Sequence, residues 1–97
     1  MKYRIELTED AKEDLRWFRT NEGKIILDNI KKQLSYEPLV ETRNRKQLQD
    51  SPLASWELRI EKYRVFYAVE QVDMVKVGII GYKEHNTLYV RGKEVEV

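Results

Sequence analysis

Apolar residues along this chain recur first at every second position, then at helical spacing, then at every second position again. Tyr3, Ile5 and Leu7 alternate with Lys2, Arg4 and Glu6, which predicts a half-buried strand over residues 2–7. Thr8 is placed to cap a helix, with Glu9 and Asp10 in its first turn, where acids favour the helix dipole. Ala11, Leu15 and Phe18 keep helical spacing, so this helix should run to about Arg19 and break at Asn21-Glu-Gly23. Ile26, Leu27, Ile30 and Leu34 form the stripe of a second helix, ended near Tyr36 by the approach to Pro38. Residues 37–53 hold both prolines, show no period and read as one long connection; loops of that length are uncommon and often functional.

Period two returns in the segment Trp56 to Val69. Leu58, Ile60, Val65, Tyr67 and Val69 alternate with charges, and Glu61-Lys62 is the natural turn of a hairpin. Val72-Asp73 reads as another turn. Met74 to Ile80 is apolar enough for burial on both faces, Gly81 to Asn86 is a polar exit, and Thr87 to Val90 is a last short strand. Residues 92–97 alternate weakly and extend that strand or fray. The order β-α-α-β-β-β-(β) predicts a single α+β domain over residues 1–97. A helical hairpin lies on one face of an antiparallel sheet of three to four strands, and the other face is partly open.

The hairpin also carries the first chemical signal. With Glu61-Lys62 as its turn, Ile60 faces Tyr63 and Arg59 faces Arg64. Like charges directly opposite are unfavourable on a sheet, so a pair of arginines there calls for an anion, and phosphate suits two guanidinium groups. The competing role for Arg64 is an ordinary ion pair with Glu57 or Glu61.

Composition narrows the classes. Ninety-seven residues suffice for one core. There is no cysteine, which excludes disulfides and thiolate metal sites and points to the cytoplasm. His85 is the only histidine, so a metal site is not expected, and no apolar run approaches a membrane span. Charged residues make up 36% of the chain, but the net charge is only +1. That charge is uneven: residues 43–64 carry six basic side chains against three acidic ones, while the segments on either side are each slightly acidic. The basic segment contains both the arginine pair and the loop Arg43-Asn-Arg-Lys46, so Arg43, Arg45, Lys46 and Lys62 are candidate nucleic-acid contacts beside it.

A strand, a helical hairpin, a basic loop and then Trp56-Glu-Leu-Arg-Ile-Glu-Lys-Tyr-Arg-Val-Phe-Tyr67 together resemble the RelE/ParE superfamily of toxins. Ile80-Gly-Tyr-Lys-Glu-His-Asn-Thr-Leu-Tyr89 is similar to the superfamily's last motif, a strand followed by a basic turn and a tyrosine. The resemblance covers nearly the whole chain, and Tyr63-Arg-Val-Phe-Tyr67 is its most specific piece. It implies the toxin half of a toxin–antitoxin pair, neutralised by a cognate antitoxin protein. RelE-like members cut messenger RNA, often on the ribosome; ParE-like members poison DNA gyrase; a third possibility is a relative that only binds a partner.

Cleavage of RNA by its own 2′-hydroxyl needs a base, neutralisation of the phosphorane and protonation of the leaving oxygen, and it needs neither metal nor cofactor. The resemblance implies that Arg59 and Arg64 hold the scissile phosphate, helped by Lys83. It also implies that Tyr89 orients the substrate or assists proton transfer. His85, two residues beyond Lys83, has a side chain whose ordinary pKa suits an acid or base. The match has departures. Glu57 stands where RelE-like nucleases carry another basic residue, the turn between the arginines is shorter, the chain is less basic than ribosome-dependent members, and its tail is strand-like where some members end in a helix. Trp17 and Ile25 on the helical hairpin are candidate apolar contacts for an antitoxin segment.

Overall fold

The computed structural model describes residues 1–96; Val97, the end of the strand-like tail, lies outside the described residues. Strand β1 (Arg4–Leu7) leads into α1 (Glu9–Trp17) and α2 (Thr20–Leu34), followed by β2 (Arg45–Gln47), β3 (Trp56–Ile60), β4 (Tyr63–Glu70), β5 (Met74–Glu84), β6 (Thr87–Val90) and β7 (Lys93–Val95). The strands form one sheet in the order β2-β3-β4-β5-β6-β7, antiparallel throughout, and β1 adds in parallel to the first half of β5. No helix is long and apolar enough to cross a membrane.

Both helices lie on one sheet face, as their stripes require. Ala11, Phe18, Ile26, Ile30 and Leu34 meet Leu58, Ile60, Val65, Tyr67, Val75, Val77 and Ile80 in the buried core. Each fully buried aliphatic side chain contributes about 1.5–3 kcal/mol. Thr8 caps α1 by accepting the Ala11 N–H at 3.1 Å.

The helical break falls earlier than the sequence suggests. Phe18 and Arg19 are extended, and Asn21, Glu22 and Gly23 lie in the first turns of α2. Burial of Phe18 turns the chain there, and the Arg19 N–H donates to Glu22 Oε1 at 3.3 Å, as at a helix start. Gly23 is therefore a packing residue within α2, next to Leu15 of α1.

The sheet has seven strands where three to four were expected, and three strands depart from the sequence reading. The tail does not extend β6 but turns back as β7 and pairs antiparallel with it, Leu88 facing Val95. The connection over 37–53 contains β2, whose three residues pair with β3. β5 does not leave the sheet at Gly81 but continues to Glu84, because its second half gains β6 as a neighbour where its first half has β1. The β5–β6 turn is His85-Asn86, both at positive φ (51° and 67°), and the β6–β7 turn is Arg91-Gly92 (50° and 76°), so each is a tight hairpin turn of the type that matches strand twist.

A buried carboxylate fixes α1 to the sheet. Asp14, 2% exposed, accepts the Ile80 N–H at 3.0 Å and the Arg91 Nε–H at 2.7 Å. It therefore ties the first helix to both β5 and the β6–β7 turn.

Candidate nucleic-acid interface

The hairpin register is the one the sequence predicts: Ile60 pairs with Tyr63, and Arg59 with Arg64. Alternation sends Trp56, Leu58, Ile60, Tyr63, Val65 and Tyr67 to the helix side. Glu57, Arg59, Arg64 and Phe66 therefore share the opposite face.

The two arginines are not equivalent. Arg59 donates from Nε to Glu57 Oε1 at 2.8 Å, and Glu57 is only 4% exposed. Arg64 has no carboxylate partner among the described residues. Its Nη1 donates to the carbonyls of Glu61 (2.7 Å) and Tyr63 (2.9 Å), and its Nε is buried without a partner. Burial pulls the Arg64 pKa below the usual guanidinium value; the Glu57 charge opposes that pull and the Arg59 charge adds to it. The hairpin thus holds one neutralised and one unneutralised guanidinium side by side.

The basic loop divides by the same alternation. Lys46 stands opposite Glu57 and shares the arginine face. Arg45 does not: it is 8% exposed, and its guanidinium donates to the carbonyls of Val40 (2.9 Å) and Gln33 (2.8 Å) and to Gln33 Oε1 (3.1 Å). Its charge is enclosed between β2 and the end of α2, so the expectation that it contacts nucleic acid is corrected. Arg43 is exposed in the bend before β2. Lys62, in the hairpin turn, lies near the rings of Tyr63 and Tyr82, 5.8 and 6.0 Å from Nζ to the centroids, which draws it toward the helix side.

The last motif is divided too. Lys83 donates its backbone N–H to the Lys62 carbonyl at 2.8 Å and stands two residues beyond Gly81, the register partner of Arg64, so alternation places it on the arginine face. His85 is exposed at the β5–β6 turn. Tyr89 pairs with Tyr82 and stacks on it (centroids 5.4 Å apart), and Tyr82 in turn stacks on Trp17 at 5.6 Å. Tyr82 packs against the main core, so this aromatic column belongs to the helix side. The last two strands therefore do not gather Lys83, His85 and Tyr89 at the arginines: Lys83 shares their face, Tyr89 lies on the helix side and His85 is in the turn. β6 pairing is the reason, since it fixes every side chain of the tail to one face or the other.

Sequence reasoning did not find the internal partners of Arg45 and Asp14. Strand alternation inside a proline-containing loop, and a single acid on the buried stripe of α1, were the available signals.

No family model matches the sequence, and a search of curated proteins finds no match either. Solved structures do match the fold. One is a chain of the RelBE2 toxin–antitoxin complex from Mycobacterium tuberculosis, with TM-score 0.72 and 21% identity over 86% of this chain and 100% of that one. Another is a chain of the archaeal RelE–RelB complex from Pyrococcus horikoshii, with TM-score 0.68 and 19% identity over 88% of this chain and 99% of that one. The likeness covers most of this chain, and the chain has the fold of the RelE toxins.

Proposed function

We propose that this chain is the toxin of a toxin–antitoxin pair, of the RelE kind, and that it cuts messenger RNA in the cytoplasm at the face carrying Arg59 and Arg64. The observation that supports this reading best is the unneutralised Arg64 beside the Glu57–Arg59 pair. A phosphate between the guanidiniums would remove their repulsion.

In this reading, the RNA 2′-oxygen attacks the adjacent phosphorus and the bond to the 5′-oxygen breaks. The products are a 2′,3′-cyclic phosphate and a 5′-hydroxyl. Glu57 accepts the 2′-hydroxyl proton, Arg59 and Arg64 stabilise the phosphorane, and the Lys83 ammonium protonates the leaving oxygen. The cognate antitoxin neutralises the toxin by covering this face. The fold shared with RelE in two toxin–antitoxin complexes supports such a partner.

A second reading, a gyrase-binding or otherwise non-catalytic relative, is favoured by one observation. Tyr89 lies in the aromatic column on the helix side, away from the arginines. Induced expression with mapping of mRNA ends decides between the two. The first reading expects growth arrest with new 5′-hydroxyl ends from the native chain and neither from Arg64→Ala. Full arrest by Arg64→Ala sinks the phosphate role. Arrest with intact mRNA and gyrase-linked DNA breaks selects the second reading.

A further inference from the structure

The arginine face continues into a cleft of about 440 Å³ at the far end of β4. Arg64, Phe66 and Ala68 follow one another on this face at every second residue, so the cleft opens about 7 Å along the strand from Arg64. Phe66, Ala68 and Gly78 line the sheet side, and Pro52 and Leu53, from the loop before β3, line the other. That loop is closed on itself by the Leu48 N–H donating to the Ser55 carbonyl at 2.8 Å.

The lining changes character along the strand. At the arginine end the face is cationic; in the cleft it is mixed, with Pro52, Leu53 and Ala68 beside Asp50, Ser51 and Glu70, while Phe66 itself is fully buried. The cation there, Lys76, is already shared between Glu6 (3.9 Å) and Glu70 (3.7 Å). A second phosphate would meet carboxylates in this cleft. A flat heteroaromatic ring whose edge carries N–H donors would find both apolar side chains (Pro52, Leu53, Ala68) and carboxylate acceptors there. Gly78 keeps the space open: β5 bulges there, Phe66 pairing with Ile79 and Tyr67 with Val77, and a β-carbon on Gly78 would meet nothing within 4 Å.

We infer that this cleft is a nucleobase subsite, taking the unstacked base of a nucleotide adjoining the phosphate held by Arg59 and Arg64. The inference rests on the RNA-binding reading above and adds a position at which single-stranded RNA is distinguished from duplex, because a paired base could not enter. A basic peptide segment is the competing occupant, and the carboxylates would suit it equally; continuity with the arginine pair favours the base.

The test uses single-stranded RNA trinucleotides blocked by 2′-O-methylation, each also made with one abasic position, and Gly78→Leu as the variant. A β-carbon at Gly78 meets nothing within 4 Å, and an unchanged melting temperature verifies the fold of the variant. The native chain should bind the base-containing probe at least about tenfold more tightly than its best abasic counterpart, and Gly78→Leu should erase that difference. Arg64→Ala should weaken both probes. A Gly78→Leu protein that keeps the native ratio overturns the subsite while leaving the phosphate reading intact, and so does tighter binding of an arginine-rich peptide that Gly78→Leu alone abolishes. Equal binding of both probes by native protein and Arg64→Ala overturns the subsite and the phosphate reading together.

Discussion

Arg59 and Arg64 face each other across the β3–β4 ladder, and Glu57 forms an ion pair with only the first of them. Two like charges in register cost stability, on the order of 0.2–1 kcal/mol. Arg64→Leu removes that repulsion and the buried Nε, and forfeits two bonds to carbonyls. Its unfolding free energy should therefore stay within about 1 kcal/mol of the native value. RNA affinity should fall at least about tenfold, and the slope of log affinity against log salt should shrink by about 0.7 for each phosphate that is no longer neutralised. Denaturant titration and binding at several salt concentrations test the two halves separately, and an unchanged salt slope would count against phosphate binding by Arg64.

Glu57→Gln separates binding from chemistry. The amide leaves Arg59 unneutralised, so affinity for a 2′-O-methylated, uncleavable RNA should rise severalfold, and single-turnover cleavage should drop by about 100-fold or more as the base is removed. Native cleavage rates in this variant would remove Glu57 from the proton transfer.

Tyr63 gives a pH signature. Its hydroxyl donates to Glu22 Oε2 at 2.7 Å, and burial, with Glu22 second, raises its pKa to about 12 from an ordinary value of 10. The folded state holds this proton where the unfolded chain has lost it. The contribution is complete below about pH 10 and disappears as pH rises through about 12. Stability should fall across that window, and Tyr63→Phe should flatten the fall while costing about 1 kcal/mol at neutral pH. Chemical denaturation from pH 8 to 11.5 measures both, and identical profiles for the two proteins would refute the assignment.

The glycines sort by what surrounds them. A β-carbon at Gly23 would meet Leu15 at ordinary van der Waals distance, 3.7 Å or more, so Gly23→Ala should stabilise by about 0.5–1 kcal/mol through helix propensity. A β-carbon at Gly81 would clash with the Tyr89 carbonyl oxygen, so Gly81→Ala should cost about 2–3 kcal/mol or more by forcing β6 away. Thermal melts of the two variants should shift in opposite directions.

The hairpin register was legible because its turn is short and its apolar residues keep strict period two, which leaves a single pairing that buries Leu58, Ile60, Val65 and Tyr67 together. The helical break was misplaced because Asn21 and Gly23 carry local turn signals, whereas burial of Phe18 is a tertiary effect that local propensity does not contain. β2 was hidden because three residues are too few to display a period. For the same reason the basic loop looked like one patch, and the partition of Arg45 from Lys46 became visible only once a strand assigned them to opposite faces. Tyr89 was assigned by motif, and its stacking on Tyr82 depends on where β6 pairs, a non-local choice.

The Asp14 carboxylate also sets an order of events during synthesis. It belongs to the first helix, yet its two hydrogen-bond donors, Ile80 and Arg91, follow it by 66 and 77 residues. Burying it without them would strand a charge in the core, so α1 cannot dock fully on a partial chain. β1 carries the same delay, since its partner β5 begins only at Met74. Full docking of α1 on the sheet therefore waits until synthesis has passed Arg91.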